Sequence, residues 1–287
     1  MAPLAETMKK LKQIEDIPTL PVIVTKVLDV ANSSNSTAND LNNVIIQDQS
    51  LTSKTLKLVN SAYYGFPRTV TKITEAIVIL GFNAVKNLAL SVSVCELFNK
   101  SDIDFDRKEL WKHSVGVAVA TGIIAKKSKM TIDHEELFIT GLLHDIGLII
   151  CDQYLHDDFI ISIKEAAKEN VPIEVVEKEI YGMDHAMIGK KVTESWKLPS
   201  KICTVIGFHH QPQYAYADSK KDTAVVYLAD LICKLKKFGF DGDRAIPKLR
   251  MEPFMTLGIQ KNDIKEISAL FDEEIKKAKD FLTLVDN

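Results

Sequence analysis

The stretch that decides the fold of this chain is Phe138-Ile-Thr-Gly-Leu-Leu-His-Asp-Ile-Gly-Leu-Ile-Ile-Cys151. A helix that is apolar on every side is buried in a protein core. Asp145 nevertheless lies in the middle of this stretch, and an ionised carboxylate left unpaired in a core costs several kcal/mol. The stretch therefore predicts a helical core and a stabilising partner for Asp145.

A second buried carboxylate, Asp230, is predicted within Ala224-Val-Val-Tyr-Leu-Ala-Asp-Leu-Ile-Cys233. Such a side chain can be stabilised by a basic partner, by protonation or by a metal ion. No lysine or arginine stands inside either stretch, so a divalent cation shared with neutral histidines is the simplest solution. The alternative is that Asp145 and Asp230 cap helices or are buried with hydrogen bonds of their own.

The histidines support the metal interpretation. Five of the seven lie in or beside apolar helical patterns, namely His113, His144, His185, His209 and His210. A single histidine on an apolar helix face is usually a core residue with satisfied ring nitrogens, but five, two of them adjacent, exceed what a core needs. Neighbours on a helix such as His144 and Asp145 point about 100° apart and can flank one ion.

The rest of the 287-residue chain is also predicted to be helical. Apolar residues recur at helical spacing and alternation with a period of two is scarce, so we expect an all-α fold without a central sheet. The charged stretch 99–108 divides the chain into an N-terminal helical lobe, residues 1–102, and a C-terminal lobe, residues 103–287. A packing helix is predicted near 262–283, at the end of the C-terminal lobe.

Several features of the sequence indicate in which cellular compartment the protein is located. The formal net charge of −3 favours neither nucleic acid nor an anionic membrane as a partner. Met1 to Asp16 lacks the apolar core of a secretory signal, and the longest apolar run, Val115 to Ala125, is too short to span a bilayer. The four cysteines lie far apart in apolar contexts, which is typical of buried free thiols in a reducing compartment. These features predict a cytoplasmic protein without a membrane segment.

In chain order, the five histidines and two aspartates resemble the ligand signature of the HD superfamily of metal-dependent phosphohydrolases, in its two-metal form. The resemblance implies that Asp145 bridges two ions. It also implies that the first ion is held by His113, His144, Asp145 and Asp230, and the second by Asp145, His185, His209 and His210.

Other segments are similar to the HDOD family, bacterial signalling modules related to the HD enzymes. They are Asp16 to Pro21, Ile45 to Thr52, Leu56 to Gly65, Ile73 to Gly81, Trp196 to Pro199 and His209 to Pro212. The resemblance covers roughly residues 10–235, and it implies an all-helical regulatory module with an HD-like C-terminal lobe and a signalling protein as its partner. One difference is Gln49, where the family usually has proline.

Two differences separate the chain from the cyclic-dinucleotide phosphodiesterases of the HD-GYP type. Those enzymes read His-Asp-Ile-Gly-Lys, whereas Leu148 stands here at the position of the lysine. They also carry Gly-Tyr-Pro after the histidine pair, whereas this chain reads Gln211-Pro-Gln-Tyr-Ala-Tyr216. The predicted metal cage is complete, but part of the substrate apparatus is missing, unless Lys112 or Lys234 folds into the place of the absent lysine.

Two functions are therefore expected, in this order. The first is a regulatory module whose metal site is structural, sensory or vestigial; the second is a phosphohydrolase acting on a cyclic nucleotide or dinucleotide, with weak activity or none. A helix-turn-helix near Leu80 to Leu90 would bind nucleic acid, but the negative net charge argues against it. The imidazole and carboxylate ligands suit one or two ions of iron, manganese, nickel or zinc rather than calcium.

Overall fold

The structure, a computed structural model, describes residues 22–33, 35–98, 104–128, 133–243, 245 and 249–286. Every regular element in these residues is helical, so the predicted all-α fold is confirmed. The N-terminal part consists of α1 (Val22–Asn32), α2 (Ala38–Ile45), α3 (Gln49–Val59), α4 (Ile73–Leu80), α5 (Phe82–Cys95) and the 3₁₀ turn Glu96–Phe98.

The C-terminal part begins with α6 (Arg107–Lys127), α7 (His134–Leu143), α8 (Ile146–Tyr154), α9 (His156–Glu169) and α10 (Ile173–Tyr181). It continues with α11 (His185–Ser195), α12 (Ser200–Phe208), the 3₁₀ turn Pro212–Tyr214 and α13 (Lys220–Lys236). It ends with α14 (Met251–Leu257), α15 (Lys261–Lys277), α16 (Lys279–Leu282) and the 3₁₀ turn Thr283–Asp286.

The predicted boundary between residues 102 and 103 lies outside the described residues, as does the segment Asp16 to Pro21. In the described part of the chain the buried apolar residues form one continuous cluster, from Val27 to Val285. Helices from the two sides of the predicted boundary contact each other, since α5 packs on α7 and α3 on α16. The division into two lobes stays a prediction.

Helix α6 is the central helix of the C-terminal part. It packs against α7, α13 and α15, and most of its residues from Leu110 to Ala125 are buried. This packing places His113, in the second turn of the helix, inside the protein.

The stretch 138–151, which is predicted to be helical, is interrupted at His144 and Asp145. Helix α7 ends at Leu143 and α8 begins at Ile146. Asp145 occupies the N-cap position of α8, with φ −100° and ψ 16°, but its side chain accepts no hydrogen bond from the first turn of that helix. An N-cap aspartate normally accepts such a bond, so capping does not explain this carboxylate.

Two glycines allow α8 and α11 to cross in close contact. A Cβ atom on Gly147 would overlap the carbonyl oxygen of His185, and one on Gly189 would lie 3.2 Å from the backbone nitrogen of Gly147. A residue without a side chain permits this approach. The crossing brings the first residue of α11, His185, next to Asp145.

The C-terminal packing helix is present as α15 and α16, with a break at Ala278. Ile267, Phe271 and Ala278 are fully buried, and the indole N–H of Trp111 on α6 donates to the carbonyl oxygen of Phe281 at 2.9 Å. The predicted packing role is therefore confirmed.

One stretch, His134–Tyr154, is long and apolar enough to cross a membrane by length and composition. It comprises α7 and α8, and 89% of its most apolar window is buried inside the protein. This is the arrangement of core helices in a globular protein.

We expect Gly147→Ala to destabilise the protein by about 1–3 kcal/mol or more, because the added methyl group forces α8 and α11 apart. Gly122→Ala is the matched control: Gly122 is also helical, but a Cβ there meets nothing within 4 Å. That change should be neutral or stabilise by up to about 1 kcal/mol. Urea unfolding measures both variants, and equal stabilities would contradict the close crossing.

Candidate metal centre

All seven predicted ligands lie in described residues, and the structure brings them together. Six of them are at most 3% exposed, and His210 is partly exposed. They come from separate elements: His113 from α6, His144 and Asp145 from the break between α7 and α8, His185 from α11, His209 and His210 from the end of α12, and Asp230 from α13.

Asp145 lies at the centre of the cluster. Its Oδ1 is 3.3 Å from Nε2 of His185 and 3.3 Å from Nε2 of His209. Its Oδ2 is 3.0 Å from Nε2 of His144 and 3.6 Å from Nε2 of His113. The two oxygens thus face two different sets of imidazoles, which is the position of a carboxylate that can bridge two ions.

The remaining residues complete two ligand groups. Nε2 of His113 lies 3.1 Å from Oδ1 of Asp230, and Nε2 of His210 lies 2.8 Å from Nε2 of His185. The first group, with ligand atoms within 4.8 Å of one another, consists of His113, His144 and Asp230; the second consists of Asp145, His185, His209 and His210.

Hydrogen bonds on the far side of two rings determine which nitrogen faces the centre. Nδ1 of His144 donates to the carbonyl oxygen of Gly141 at 2.7 Å, and Nδ1 of His209 donates to that of Ile206 at 2.7 Å. A carbonyl oxygen only accepts, so the proton of each neutral ring is assigned to Nδ1 and the lone pair to Nε2. This is the tautomer in which such a ring binds a metal through Nε2.

His185 is oriented by a carboxylate instead. Glu177 on α10 is fully buried, and its Oε2 lies 2.7 Å from Nδ1 of His185 and accepts from the backbone N–H of the same residue at 2.8 Å. Pairs of this kind fix the ring of a metal-ligating histidine and raise its basicity. The role of Glu177 could not be predicted from the sequence, since this residue lies among other glutamates on an amphipathic helix.

Six polar atoms of the cluster are buried and lack a hydrogen-bond partner within the described residues: Nε2 of His113, His144 and His209, both carboxylate oxygens of Asp145, and Oδ1 of Asp230. Acceptor atoms this close repel one another unless positive charge lies between them. Atoms bound to one ion at about 2.0–2.2 Å are about 2.8–3.6 Å apart, which is the spacing of the short contacts within each group. The residues therefore fit a metal ion.

The electrostatics of the cluster also favour a bound cation. Burial lowers the pKa of His113, but the nearby carboxylates of Asp241 and Asp230 outweigh burial and raise that pKa to about 9. Burial and the neighbouring His209 hold the pKa of His210 well below its usual range. The first group thus lies in a negative potential, while the second offers a neutral imidazole.

Lys234, one turn after Asp230 on α13, lies beside the first group. Its Nζ is 3.2 Å from Oδ2 of Asp230 and 3.0 Å from Oδ2 of Asp241. Of the two lysines considered from the sequence, Lys234 is therefore the one at the site, because it shares a helix face with Asp230. Lys112 instead pairs with Glu109 at 3.3 Å.

Asp241 reaches the first group from the loop after α13. The backbone N–H of Phe240 donates to the carbonyl oxygen of Glu109 at 3.0 Å and ties this loop to α6. Oδ2 of Asp241 consequently lies 4.0 Å from Nε2 of His113. Sequence periodicity could not reveal Asp241, since its loop is irregular.

Two cavities reach the cluster. The first, of about 550 Å³, is lined by His113, Lys234 and Asp241 among others. The second, of about 440 Å³, has His210 and Asp230 in its wall. Each ligand group is therefore accessible to a solute.

Comparison with known proteins relates this chain to a protein family. The HDOD domain family model matches residues 17–212. An uncharacterized protein of Treponema pallidum (strain Nichols) is 29% identical over 201 residues, which are 67% of this chain and 37% of that protein. The chain thus spans little more than a third of that relative.

Solved structures share the fold. An HDOD domain protein of unknown function from Geobacter sulfurreducens has a TM-score of 0.80 and 24% identity, over 99% of this chain and 97% of that one. A candidate phosphohydrolase from Shewanella amazonensis SB2B has a TM-score of 0.76 and 24% identity, over 96% and 97%. A candidate signal transduction protein from Marinobacter aquaeolei VT8 has a TM-score of 0.76 and 18% identity, over 100% of this chain and 65% of that one.

We expect protein purified without chelator to contain at least one transition-metal ion, and Asp145→Ala to lose it, because Asp145 faces both ligand groups. Elemental analysis measures the metal content. Asp222→Asn is the matched control, since Asp222 is a buried aspartate on the same helix as Asp230 but pairs with Lys201. Metal-free wild-type protein, or equal retention in Asp145→Ala and Asp222→Asn, would contradict the metal centre.

Proposed function

This chain belongs to the HDOD domain family, and on that premise we propose that it is a regulatory signalling module whose HD-type His/Asp site binds divalent metal. The observation that carries the proposal is the set of buried imidazole and carboxylate atoms that face one another without hydrogen-bond partners in the described part of the chain. The candidate signal transduction protein of the same fold supports a regulatory role.

We assign the ligands by group. His113, His144 and Asp230 would hold one ion together with Oδ2 of Asp145. His185, His209 and His210 would hold a second ion together with Oδ1 of Asp145. This assignment uses every predicted ligand, and each oxygen of Asp145 serves the group that it faces.

The charge around the cluster favours bound cations. Five carboxylates lie in it or directly beside it, namely Asp145, Asp230, Asp241, Asp243 and Glu177. The buried ammonium group of Lys234 pairs with three of them, Asp230, Asp241 and Asp243. Carboxylates therefore outnumber lysine in the cluster, and divalent cations would offset this negative charge. Imidazole with carboxylate suits iron, manganese, nickel or zinc.

The second candidate function is a metal-dependent phosphohydrolase. In such an enzyme the ions lower the pKa of a bound water and stabilise the transferring phosphoryl group. The position of Lys234 beside Asp230 favours this function, and so does the candidate phosphohydrolase of the same fold.

Two features weigh against strong catalysis. Leu148 is fully buried in the core, so this position offers no positive charge to a substrate. Lys234 is already paired with Asp230 and Asp241, which leaves little of its charge to offset the charge that develops on phosphoryl oxygens. We therefore place the regulatory function first.

We also propose a cytoplasmic location, a signalling protein as the partner, and lobes 1–102 and 103–287 as the structural units. The four cysteines are buried free thiols, which suits a reducing compartment. The net charge of −3 supports neither nucleic acid nor a membrane surface as the partner.

We expect manganese- or iron-loaded protein to hydrolyse cyclic di-GMP and linear dinucleotides very slowly or not at all. Loss of one electrostatic contact to the transition state typically lowers a rate by about 10²–10³. Chromatographic quantification of the products measures turnover, with Asp145→Ala as the metal-independent background. Robust wild-type turnover that Asp145→Ala abolishes would overturn the regulatory assignment and make the protein an enzyme.

A further inference from the structure

A third cavity, of about 350 Å³, has none of the seven predicted metal ligands in its wall. Its volume lies in the range of small-molecule sites. The turn after α3 forms its wall together with α6, α7 and α15, so both sides of the predicted lobe boundary contribute to it. The cavity is therefore a candidate ligand site that is separate from the metal centre.

Three aromatic rings lie together in this wall, those of Tyr63, Tyr64 and Phe138. The ring centroid of Tyr63 is 5.3 Å from that of Tyr64, with an angle of 82° between the planes, and 5.5 Å from that of Phe138. The face of an aromatic ring attracts cations, and grouped rings of this kind bind quaternary ammonium groups. Tyr63 and Tyr64 belong to the HDOD-like segment Leu56 to Gly65, which contributes no ligand to the metal centre.

Glu135, in the first turn of α7, brings a carboxylate to the same wall. It is half-buried, and among the described residues no lysine or arginine pairs with it. The next residue, Glu136, instead pairs with Lys201 at 2.9 Å. Burial, and after it the neighbouring Asp133, raises the pKa of Glu135. A positively charged ligand would offset both effects and stabilise the ionised carboxylate.

The charges at the rings favour a cation over an anion. Burial raises the pKa of Tyr63, and the carboxylates of Glu135 and Glu274, which both line the cavity, raise it further. Glu274 shares its charge with Lys277 at 2.7 Å. Lys126 also lines the cavity, but it is exposed to solvent. Two carboxylates thus face one exposed lysine in the wall, and the aromatic rings lie in a negative potential.

We propose that this cavity binds a small organic ammonium ion. Its cationic group contacts the rings of Tyr63 and Tyr64 and pairs with the carboxylate of Glu135. The apolar side chains of Val119 and Ile123 on α6 contact the alkyl part of the molecule. Such a ligand would join the turn after α3 to α6 and α7.

Isothermal titration of the full chain with choline tests the proposal. The control ligand is the uncharged carbon analogue of choline, in which a tert-butyl group replaces the trimethylammonium group. Choline should bind saturably, and the analogue at least about 10-fold more weakly, because it lacks the charge that the rings and Glu135 attract. Glu135→Gln should weaken choline binding about 10-fold. Glu136→Gln is the matched control and should bind as the wild type does.

The aromatic contact is tested at Tyr64. Tyr64→Leu removes the ring and should weaken choline binding about 3- to 30-fold, the value of one cation–π contact. Tyr64→Phe keeps the ring and should bind within about 2-fold of the wild type. Gly122 also lines the cavity, and a Cβ there meets nothing within 4 Å. Gly122→Leu should therefore fill the space and abolish binding.

Three results would overturn the ammonium site. They are a wild-type protein that does not bind choline, an uncharged analogue that binds as tightly as choline, and equal choline binding in Glu135→Gln and Glu136→Gln. The comparison of the two ligands uses the wild-type protein, so it is decisive even where Tyr64→Leu fails to fold.

Discussion

The site depends on one electrostatic constraint, the burial of Asp145. This carboxylate is 1% exposed, and neither oxygen has a hydrogen-bond partner among the described residues. Removing a carboxylate from water costs several kcal/mol unless opposite charge compensates it. His144 and His209 offer lone pairs rather than protons, because their Nδ1 protons are donated to backbone carbonyl oxygens. Cations between Asp145 and these rings would stabilise the whole arrangement.

The surrounding fold holds the ligands where such ions would need them. The helix break at residues 144–145 lets both side chains face inward, and the glycine crossing of α8 and α11 brings His185 to Asp145. Glu177 then fixes the ring of His185. Because the seven predicted ligands lie within helices or at helix ends that are packed in the core, the site can keep its geometry before a metal binds.

The sequence predicts those parts of the structure that leave a recognisable pattern along the chain. Asp145 and Asp230 stand out because charge is rare inside apolar helical stretches, and the helices follow from apolar periodicity. The break at 144–145 was not predicted, since the local residues are compatible with one continuous helix. Glu177 and Asp241 were not predicted either, because their roles arise only when α10 and the loop after α13 pack against the cluster.

The most direct test of this account is anomalous X-ray diffraction from crystals of the protein purified without chelator. We expect two transition-metal peaks on either side of Asp145, about 3.5–4 Å apart as in other two-metal sites. One peak would be bounded by His113, His144 and Asp230, and the other by His185, His209 and His210. A map without a peak at Asp145, with its oxygens hydrogen-bonded to protonated imidazoles instead, would contradict the account.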